Sequence, residues 1–265
     1  TRFKCDWSSD VCFRSHEAIF LNFLKNKEII LENSNLIIST FINITKKYFE
    51  NIEKEIMPLK LLTNSLSSIC SIKELLSNIA YEVEKNLIEL IFYVVLYKDL
   101  NIMGKNKEGL TIWKNYNSIM LRTIDYCYPL NTIKIIVDKI INNNSKKQKY
   151  AEFCIRCLEL MTQNMKEICD KISVPDVLYI INNFLLEYNQ NQKIQKQKTT
   201  GGSIVATFKE LVCEMTNIRG EKIIEDYYDY MNIQNNNFEE EEHDKNIKLW
   251  INEVIRTIDN NFIIK

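Results

Sequence analysis

The sequence predicts an all-α protein in which helical hairpins stack side by side as an α-solenoid. Apolar residues recur at helical spacing through most of the 265 residues, most clearly from Glu108 to Tyr227. The chain holds only five glycines and three prolines, which are too few turn residues for a β-rich or nucleotide-binding fold. No strand-like alternation competes with the helical pattern, so we expect no sheet.

Apolar periodicity predicts eleven helices. The expected ranges are about 16–30, 33–50, 52–69, 71–97, 107–127, 130–143, 149–163, 174–188, 204–217, 220–231 and 246–262.

The apolar residues of the second and fourth helices define the faces that we expect to be buried. In the second helix they form a stripe of Leu36, Ile37, Phe41, Ile44 and Tyr48. The fourth helix is expected to start at the capping box formed by Ser71 to Glu74. Its apolar face comprises Leu76, Ile79, Ala80, Val83, Leu87, Leu90, Ile91 and Val94. At about 27 residues it is long, and Lys85-Asn86 is the expected position of any break.

The middle helices have clear boundary signals. Residues 99–106 are expected to form a loop, and Pro129 marks the end of the fifth helix. A polar loop follows the sixth helix at 142–147, and Ser173 is the expected N-cap of the eighth. The seventh helix is expected to bury Phe153, Cys154, Cys157, Leu158 and Met161.

Two polar segments interrupt the last third of the chain. Residues 189–203 are rich in Gln and Lys and contain Gly201-Gly202, so we expect a flexible internal loop. Residues 233–245 form an expected acidic linker around Glu239–Glu242. The last helix is amphipathic, with Ile247, Trp250, Ile251, Val254, Ile255 and Ile258 on its apolar face.

Helix pairs of about 40 residues joined by short connections are typical of HEAT-like repeats. Each pair has a face that it cannot bury alone, so neighbouring pairs must stack and fold together. We expect one HEAT-like helical domain over 16–232, the acidic linker at 233–245, and the start of a second small helical segment at 246–265.

Residues 1–15 look like a translated sequencing adapter, because Cys5-Asp6-Trp7-Ser8-Ser9-Asp10-Val11-Cys12 is a familiar product of that contamination. We exclude them from the fold and expect natural sequence to begin near His16. The alternative is a genuine loop closed by a disulfide between Cys5 and Cys12.

Composition and charge disfavour several classes of partner. The net charge of −1 and the pI near 6.2 do not support a nucleic-acid binder. No apolar run reaches the length of about 18 residues that a membrane span needs. The cysteines after residue 16 mostly occupy apolar helical positions, which indicates a reducing compartment and hence the cytoplasm.

The residues suited to chemistry do not form a recognisable site. Cys154 and Cys157 form a C-x-x-C pair without further zinc ligands or a βαβ setting, so core packing is favoured. His16 and His243 lack credible partners for acid–base or metal chemistry. The acidic run lacks the pattern of an EF-hand, and Gly201-Gly202-Ser203 lacks the lysine of a P-loop. We therefore expect no catalytic, cofactor-binding or metal-binding residues, and no enzyme.

One distribution of lysines predicts a protein-binding rim. If the helices alternate in direction, the loops after the second, fourth, sixth and eighth helices share one edge. The lysines in or beside those loops are Lys46, Lys47, Lys98, Lys105, Lys107, Lys146, Lys147, Lys149, Lys193, Lys196 and Lys198. The opposite edge mixes charges of both signs. A basic rim would attract an acidic protein surface; the alternative is that a Lys-rich composition places lysines in every loop.

A set of residues spread over the chain carries a resemblance to a known family. They are Glu108-Gly109, Asn117, Asn131-Thr132-Ile133, Lys149, Glu152, Cys157-Leu158, Met161, Thr207-Phe208-Lys209, Leu211-Val212 and Gly220-x-Lys222-Ile223. In these residues, and in helix order and loop lengths over about 32–232, the chain resembles the C-terminal helical domain of the TOG-family microtubule polymerases of the ch-TOG and Mini spindles type. The segment after the acidic linker resembles the start of the helical bundle that follows it.

The resemblance implies a fragment of a larger protein whose HEAT-built TOG domains bind tubulin and promote microtubule growth. Its C-terminal region would be a docking and targeting module that contacts coiled-coil adaptors at spindle poles and centrosomes, on the cytoskeleton. Tubulin-binding TOG domains usually carry a Trp in the first inter-helix loop. No Trp lies in the corresponding loop of this chain, so we assign it no tubulin-contact residues. The alternative is a general HEAT or armadillo scaffold for transport or complex assembly.

Overall fold

The computed structural model of the chain describes residues 27–49, 52–96, 107–142, 148–190, 200–234 and 242–263. Within these ranges the backbone is helical apart from short turns, and none of it forms a β-strand. The all-α prediction is therefore confirmed for the described part of the chain. The adapter-like residues 1–15 and most of the predicted helix 16–30 lie outside it. In the described ranges, no helix combines the length and the apolarity needed to cross a membrane.

The chain divides into two compact units, unit 1 from Thr1 to Cys127 and unit 2 from Tyr128 to Lys265. In unit 1 the described helices are α1 (Lys27–Glu32), α2 (Ser34–Phe49), α3 (Ile52–Ile69), α4 (Lys73–Leu76), α5 (Tyr81–Val95) and α6 (Lys107–Tyr126). In unit 2 they are α7 (Pro129–Asn142), α8 (Gln148–Gln163), α9 (Met165–Ile168), α10 (Val174–Gln190), α11 (Thr200–Arg219), α12 (Lys222–Gln234) and α13 (Glu242–Ile263). The boundary between the units falls inside the range 16–232, which the sequence predicts to be one domain. Helix α13 belongs to unit 2.

The predicted fourth helix is broken, and the break lies earlier than expected. The chain leaves α4 at Leu76 and enters α5 at Tyr81, whereas Lys85-Asn86 lies inside α5. At the break, Ala80 is extended and its N–H donates to Oδ1 of Asn35 at 2.8 Å. A tertiary hydrogen bond to α2 thus satisfies the donor that the interrupted helix leaves open.

The predicted capping box at the start of this region is also wrong. The N-cap of α4 is Ile72, and it makes no side-chain cap. The Ser71 hydroxyl instead donates to the Ser68 carbonyl at 2.6 Å, near the end of α3. By contrast, the predicted N-cap Ser173 is confirmed, because its Oγ accepts the Asp176 N–H at 3.4 Å in the first turn of α10.

The apolar stripe expected on the second helix is not the face that α2 buries. The buried residues of α2 are Ser34, Ile38, Ile42, Thr45 and Phe49. Leu36 is 67% exposed and Ile44 is 36% exposed, although both belong to the predicted stripe. The other predicted faces agree better: in α8, Cys154, Cys157, Leu158 and Met161 are buried, and Phe153 is half-buried.

Two predicted polar segments are shorter than expected. Helix α10 continues to Gln190 and α11 begins at Thr200, so Gly201–Ser203 lie in the first turn of a helix. The expected acidic linker is likewise reduced, because α12 extends to Gln234 and α13 begins at Glu242. Tertiary packing of both flanking helices outweighs the weak helix propensity of these residues.

In unit 1 the long helices α2 and α6 each pack on both α3 and α5. Helices α2 and α5 run in the same direction. Asn35 contacts Ala80 at their N-terminal ends, and the rings of Phe49 and Tyr93 lie 5.7 Å apart at their C-terminal ends. Helices α3 and α6 also run in the same direction, because three contacts join them in matching order: Lys60 to Glu108, Asn64 to Asn115, and Ser67 to Arg122.

Unit 2 repeats this packing order. Helix α7 packs on α8 and α10, α8 packs on α11, and α10 packs on α12. A short helix, α4 or α9, follows the second long helix in both units. The buried residues of α6 are spaced identically to buried residues of α11: Ile112, Tyr116, Ile119, Met120, Thr123 and Ile124 against Ile204, Phe208, Leu211, Val212, Met215 and Thr216. The two units are therefore built on the same helical plan.

Gly220 joins α11 to α12 in the left-handed region, with φ of 66°. A Cβ at this position would meet nothing within 4 Å. A side chain at this position would therefore lower stability through the unfavourable backbone conformation and not through a steric clash. We expect Gly220→Ala to lower the free energy of unfolding by about 1 kcal/mol, because an L-residue disfavours this φ. Urea denaturation measures the change.

Gly220→Asn is the matched control for this prediction, because asparagine tolerates the left-handed conformation better than alanine does. We expect it to lose less stability than Gly220→Ala. Equal stability of the alanine variant and the wild type would contradict the prediction.

Candidate interaction surface

Four of the lysines predicted to form a basic rim lie in the described part of the chain, and all four are exposed. Lys46 and Lys47 occupy the last turn of α2, and Lys107 is the first residue of α6. Lys149 lies in the first turn of α8, in unit 2. The remaining predicted lysines lie outside the described residues: Lys98, Lys105, Lys146, Lys147, Lys193, Lys196 and Lys198.

The three lysines of unit 1 lie at the same end of that unit. Only two residues separate the end of α2 from the start of α3, so these helix ends lie within roughly 10 Å of each other. The ion pair between Lys60 and Glu108, at 3.7 Å, places the start of α6 beside the N-terminal half of α3. The C-terminal end of α2 and the N-terminal end of α6 therefore face the same side. We call Lys46, Lys47 and Lys107 the lysine end.

Charges of both signs occur at both ends of unit 1. At the lysine end, Glu108 pairs with Lys60, and the first turn of α3 contains Glu53, Lys54 and Glu55. At the opposite end, where α5 begins, Lys85 lies 3.9 Å from Glu82. The three exposed lysines can contact acidic groups of a partner, on a surface that also holds carboxylates.

The C-x-x-C pair lies in the core of unit 2. Cys154 and Cys157 are 0% and 2% exposed on α8. Desolvation by burial raises the pKa of Cys157 to about 12, and burial also raises the pKa of Cys154. A thiol that stays protonated at neutral pH is a poor nucleophile. Both cysteines therefore act as packing residues, as the sequence predicts.

Metal ligands do not cluster in the part of the chain that the structure describes. No group of three or more His, Cys, Asp or Glu side chains there could hold a metal ion. His243 lies in the first turn of α13. The other histidine, His16, lies outside the described residues.

The sequence does not predict the burial of several polar groups. Glu84 of α5 is 1% exposed, although its neighbours Glu82 and Lys85 are polar and suggest a solvated turn. Tyr116 of α6 is fully buried, and burial raises the pKa of its phenol, which therefore stays protonated. No local sequence signal distinguishes these positions, because their burial depends on which helix packs over them.

Two arginines each donate a hydrogen bond to the C-terminal end of another helix. Arg122 of α6 donates to the Ser67 carbonyl at 2.5 Å, in the last turn of α3. Arg219 of α11 donates to the Cys169 carbonyl at 2.7 Å, immediately after α9. Both satisfy C-terminal carbonyls that a helix leaves open. These arginines stabilise the stacking of helices within each unit and are not candidates for partner recognition.

Exposed apolar residues are a further surface feature of unit 1. The outward side of α1 and α2 carries Ile29, Leu36 and Ile44, which are 51%, 67% and 36% exposed. The apolar residues of this region surround the helix on all sides, which periodicity alone could have shown. Exposed apolar residues indicate an interaction site where they form one contiguous patch.

The comparisons with known proteins give no assignment: no protein-family model, no curated protein and no solved structure matches this chain.

Proposed function

We propose that the chain is a non-enzymatic docking domain with a HEAT-like α-solenoid architecture. It would bind partner proteins on behalf of a microtubule-associated polymerase at spindle poles and microtubule-organising centres. The observation that supports it most is the packing order shared by the two units, in which the first long helix packs on the second and the third, and the second packs on the fourth. Stacked helical hairpins in solenoids pack in this order.

The identical spacing of buried residues in α6 and α11 also supports a repeated architecture. Repeat proteins use one helical plan several times, so equivalent helices bury equivalent positions. Solenoids present extended surfaces that bind other proteins. A docking role is therefore favoured over catalysis.

The assignment to the microtubule polymerases rests on the sequence resemblance. Of the residues that carry it, Cys157, Leu158, Phe208, Leu211 and Val212 are buried core residues. Gly220 has the positive φ of a helix-ending glycine. The resemblance therefore concerns the helical framework. These core residues do not indicate which partner the surface binds.

The lysine end is the proposed docking site in unit 1, and an acidic coiled-coil adaptor is the proposed partner. Exposed lysines attract acidic surfaces at long range and form contacts that salt screens. Tubulin engagement would reside mainly in other parts of the parent protein.

Charge reversal tests the docking site. We expect Lys46→Glu combined with Lys107→Glu to weaken adaptor binding by about tenfold or more, since each reversed charge at an interface is worth roughly 1 kcal/mol. The same change should flatten the dependence of affinity on salt. Surface plasmon resonance with a purified acidic coiled-coil adaptor and with αβ-tubulin measures both effects.

Lys166→Glu combined with Lys171→Glu is the matched control, because these exposed lysines of unit 2 lie among acidic residues. We expect this variant to bind like the wild type. Failure of both the adaptor and tubulin to bind the wild-type chain would overturn the microtubule assignment. Binding instead to a transport or assembly factor would favour the general HEAT or armadillo scaffold.

A further inference from the structure

The outward face of α1 and α2 carries three exposed apolar residues with polar residues between them. Ile29, Leu36 and Ile44 follow one another at helical spacing together with the exposed Asn33, Thr40 and Lys47, and we call this row the stripe. The buried side of α2, around Ile38 and Ile42, faces the other way and packs in the core of unit 1. The stripe is therefore a second face with apolar residues on a helix that already buries one.

The polar side chains on the stripe direct their donors back into the helix. The Thr40 hydroxyl donates to the Leu36 carbonyl at 2.7 Å, and the Asn33 amide donates to the Ile29 carbonyl at 2.9 Å. The Thr40 donor is satisfied within the helix, so an opposing apolar surface would not leave it unsatisfied. Asn33 keeps a second N–H and its side-chain carbonyl oxygen for water or for a partner.

Charge is distributed unevenly along the stripe. The exposed Glu32 lies toward its N-terminal end, beyond which α1 begins with Lys27 and Glu28. The exposed Lys47 lies at its C-terminal end. Opposite charges toward the two ends of one helical face are self-complementary when two such faces meet in opposite directions.

We propose that the α1–α2 face binds a second copy of this chain in an antiparallel, two-fold symmetric dimer. With Thr40 of both copies at the two-fold axis, Leu36 of one copy lies opposite Ile44 of the other, since each is four positions from Thr40. Glu32 of one copy then comes within one position of Lys47 of the other. One apolar contact and one charge contact therefore form on each side of the axis, which makes two of each in the dimer.

The dimer is weak and depends on concentration. From Ile29 to Lys47 the stripe is about 27 Å long at the helical rise. One helix face of this length buries less than the roughly 800 Å² per partner of a standard stable interface. The full-length chain therefore exchanges between monomer and dimer.

Sedimentation velocity of the full chain over a range of concentrations tests the dimer. We expect the wild type to show a sedimentation coefficient that rises with concentration. Leu36→Glu should weaken association by about tenfold or more, because the two-fold symmetry applies each lost apolar contact twice. Circular dichroism checks that the variant keeps its helix content.

Charge exchange separates a contact between copies from a general loss of structure. Glu32→Lys alone and Lys47→Glu alone should each weaken the dimer several-fold. Glu32→Lys combined with Lys47→Glu should restore it, because the exchanged charges again face each other. Leu249→Glu is the control, since this leucine is 53% exposed on α13 of unit 2 and should not affect association.

Two results would overturn the proposal. One is a wild-type chain that stays monomeric up to its limit of solubility, as it would if another segment or another protein covered the face. The other is a dimer that Leu36→Glu leaves unchanged. Neither result bears on adaptor binding at Lys107, so the dimer and the proposed docking function are tested separately.

Discussion

Replacing Phe208 by alanine is expected to lower the free energy of unfolding of unit 2 by about 3–5 kcal/mol. Phe208 is fully buried in α11, and its ring centroid lies 4.7 Å from that of Phe184 in α10. Removing the ring leaves a cavity between two helices and ends the aromatic contact. Urea denaturation followed by circular dichroism measures the loss.

Hydrogen exchange locates the effect of this substitution. We expect peptides of α10 and α11 to lose protection, while peptides of α2 and α5 in unit 1 keep theirs, because repeat units depend mainly on their neighbours. Leu249→Ala is the control, since this exposed leucine should change stability by less than about 0.5 kcal/mol. A Phe208→Ala variant as stable as the control would show that α10 and α11 do not pack as described.

The second large effect is expected in cysteine reactivity. Burial raises the pKa of Cys70 and of Cys157 from 9.0 to about 12. At a given pH near neutrality each thiol is therefore about a thousandfold less ionised than an ordinary one. Cys213 is only half-buried, and its pKa is raised as well. We expect iodoacetamide to label Cys213 at least about a hundredfold faster than Cys70 or Cys157 in the native protein.

Peptide mass spectrometry after timed labelling measures these rates, and labelling in denaturant is the control in which all three cysteines should react alike.

The same pKa shifts make the stability of the fold depend on pH. A thiol whose pKa is raised by folding stabilises the protein fully below the unfolded value near 9.0, and this contribution is lost as the pH rises toward about 12. Rapid native labelling of Cys157 would show that the C-x-x-C pair is accessible and would reopen a redox role.

The sequence predicted the helices well and their faces less well. Helices α3, α6 and α8 lie within one or two residues of their predicted ranges, because each carries a clear apolar period. In α2 the period was ambiguous. Apolar residues surround this helix, and its buried face includes the polar Ser34 and Thr45. Only the positions of the neighbouring helices decide which face is covered.

The break between α4 and α5 could not be predicted from local signals. Ser77 to Ala80 contains neither glycine nor proline, and its apolar residues continue the helical pattern. The chain is interrupted there by contacts distant in sequence, such as the bond from Ala80 to Asn35. Local propensity is a weak prior that tertiary packing overrides.

The lysine end was partly predictable. The assumption that helices alternate in direction puts Lys46 and Lys107 on one edge, and the parallel pairs α2–α5 and α3–α6 bring these helix ends to one side of unit 1. The pairing of Lys60 with Glu108 could not be predicted, because it joins two helices. The rest of the rim, including Lys146 and Lys147, stays a prediction.

The packing order described above also bears on how the chain acquires its structure. The side-chain hydrogen bonds that join distant helices span between 44 and 55 positions of sequence. These contacts stay within one unit, and the loop-closure entropy that opposes each of them grows only slowly with its separation in sequence. During synthesis, α6 leaves the ribosome after α3 and α5, the helices that it packs on. Folding of unit 1 can therefore begin before the C-terminus is made.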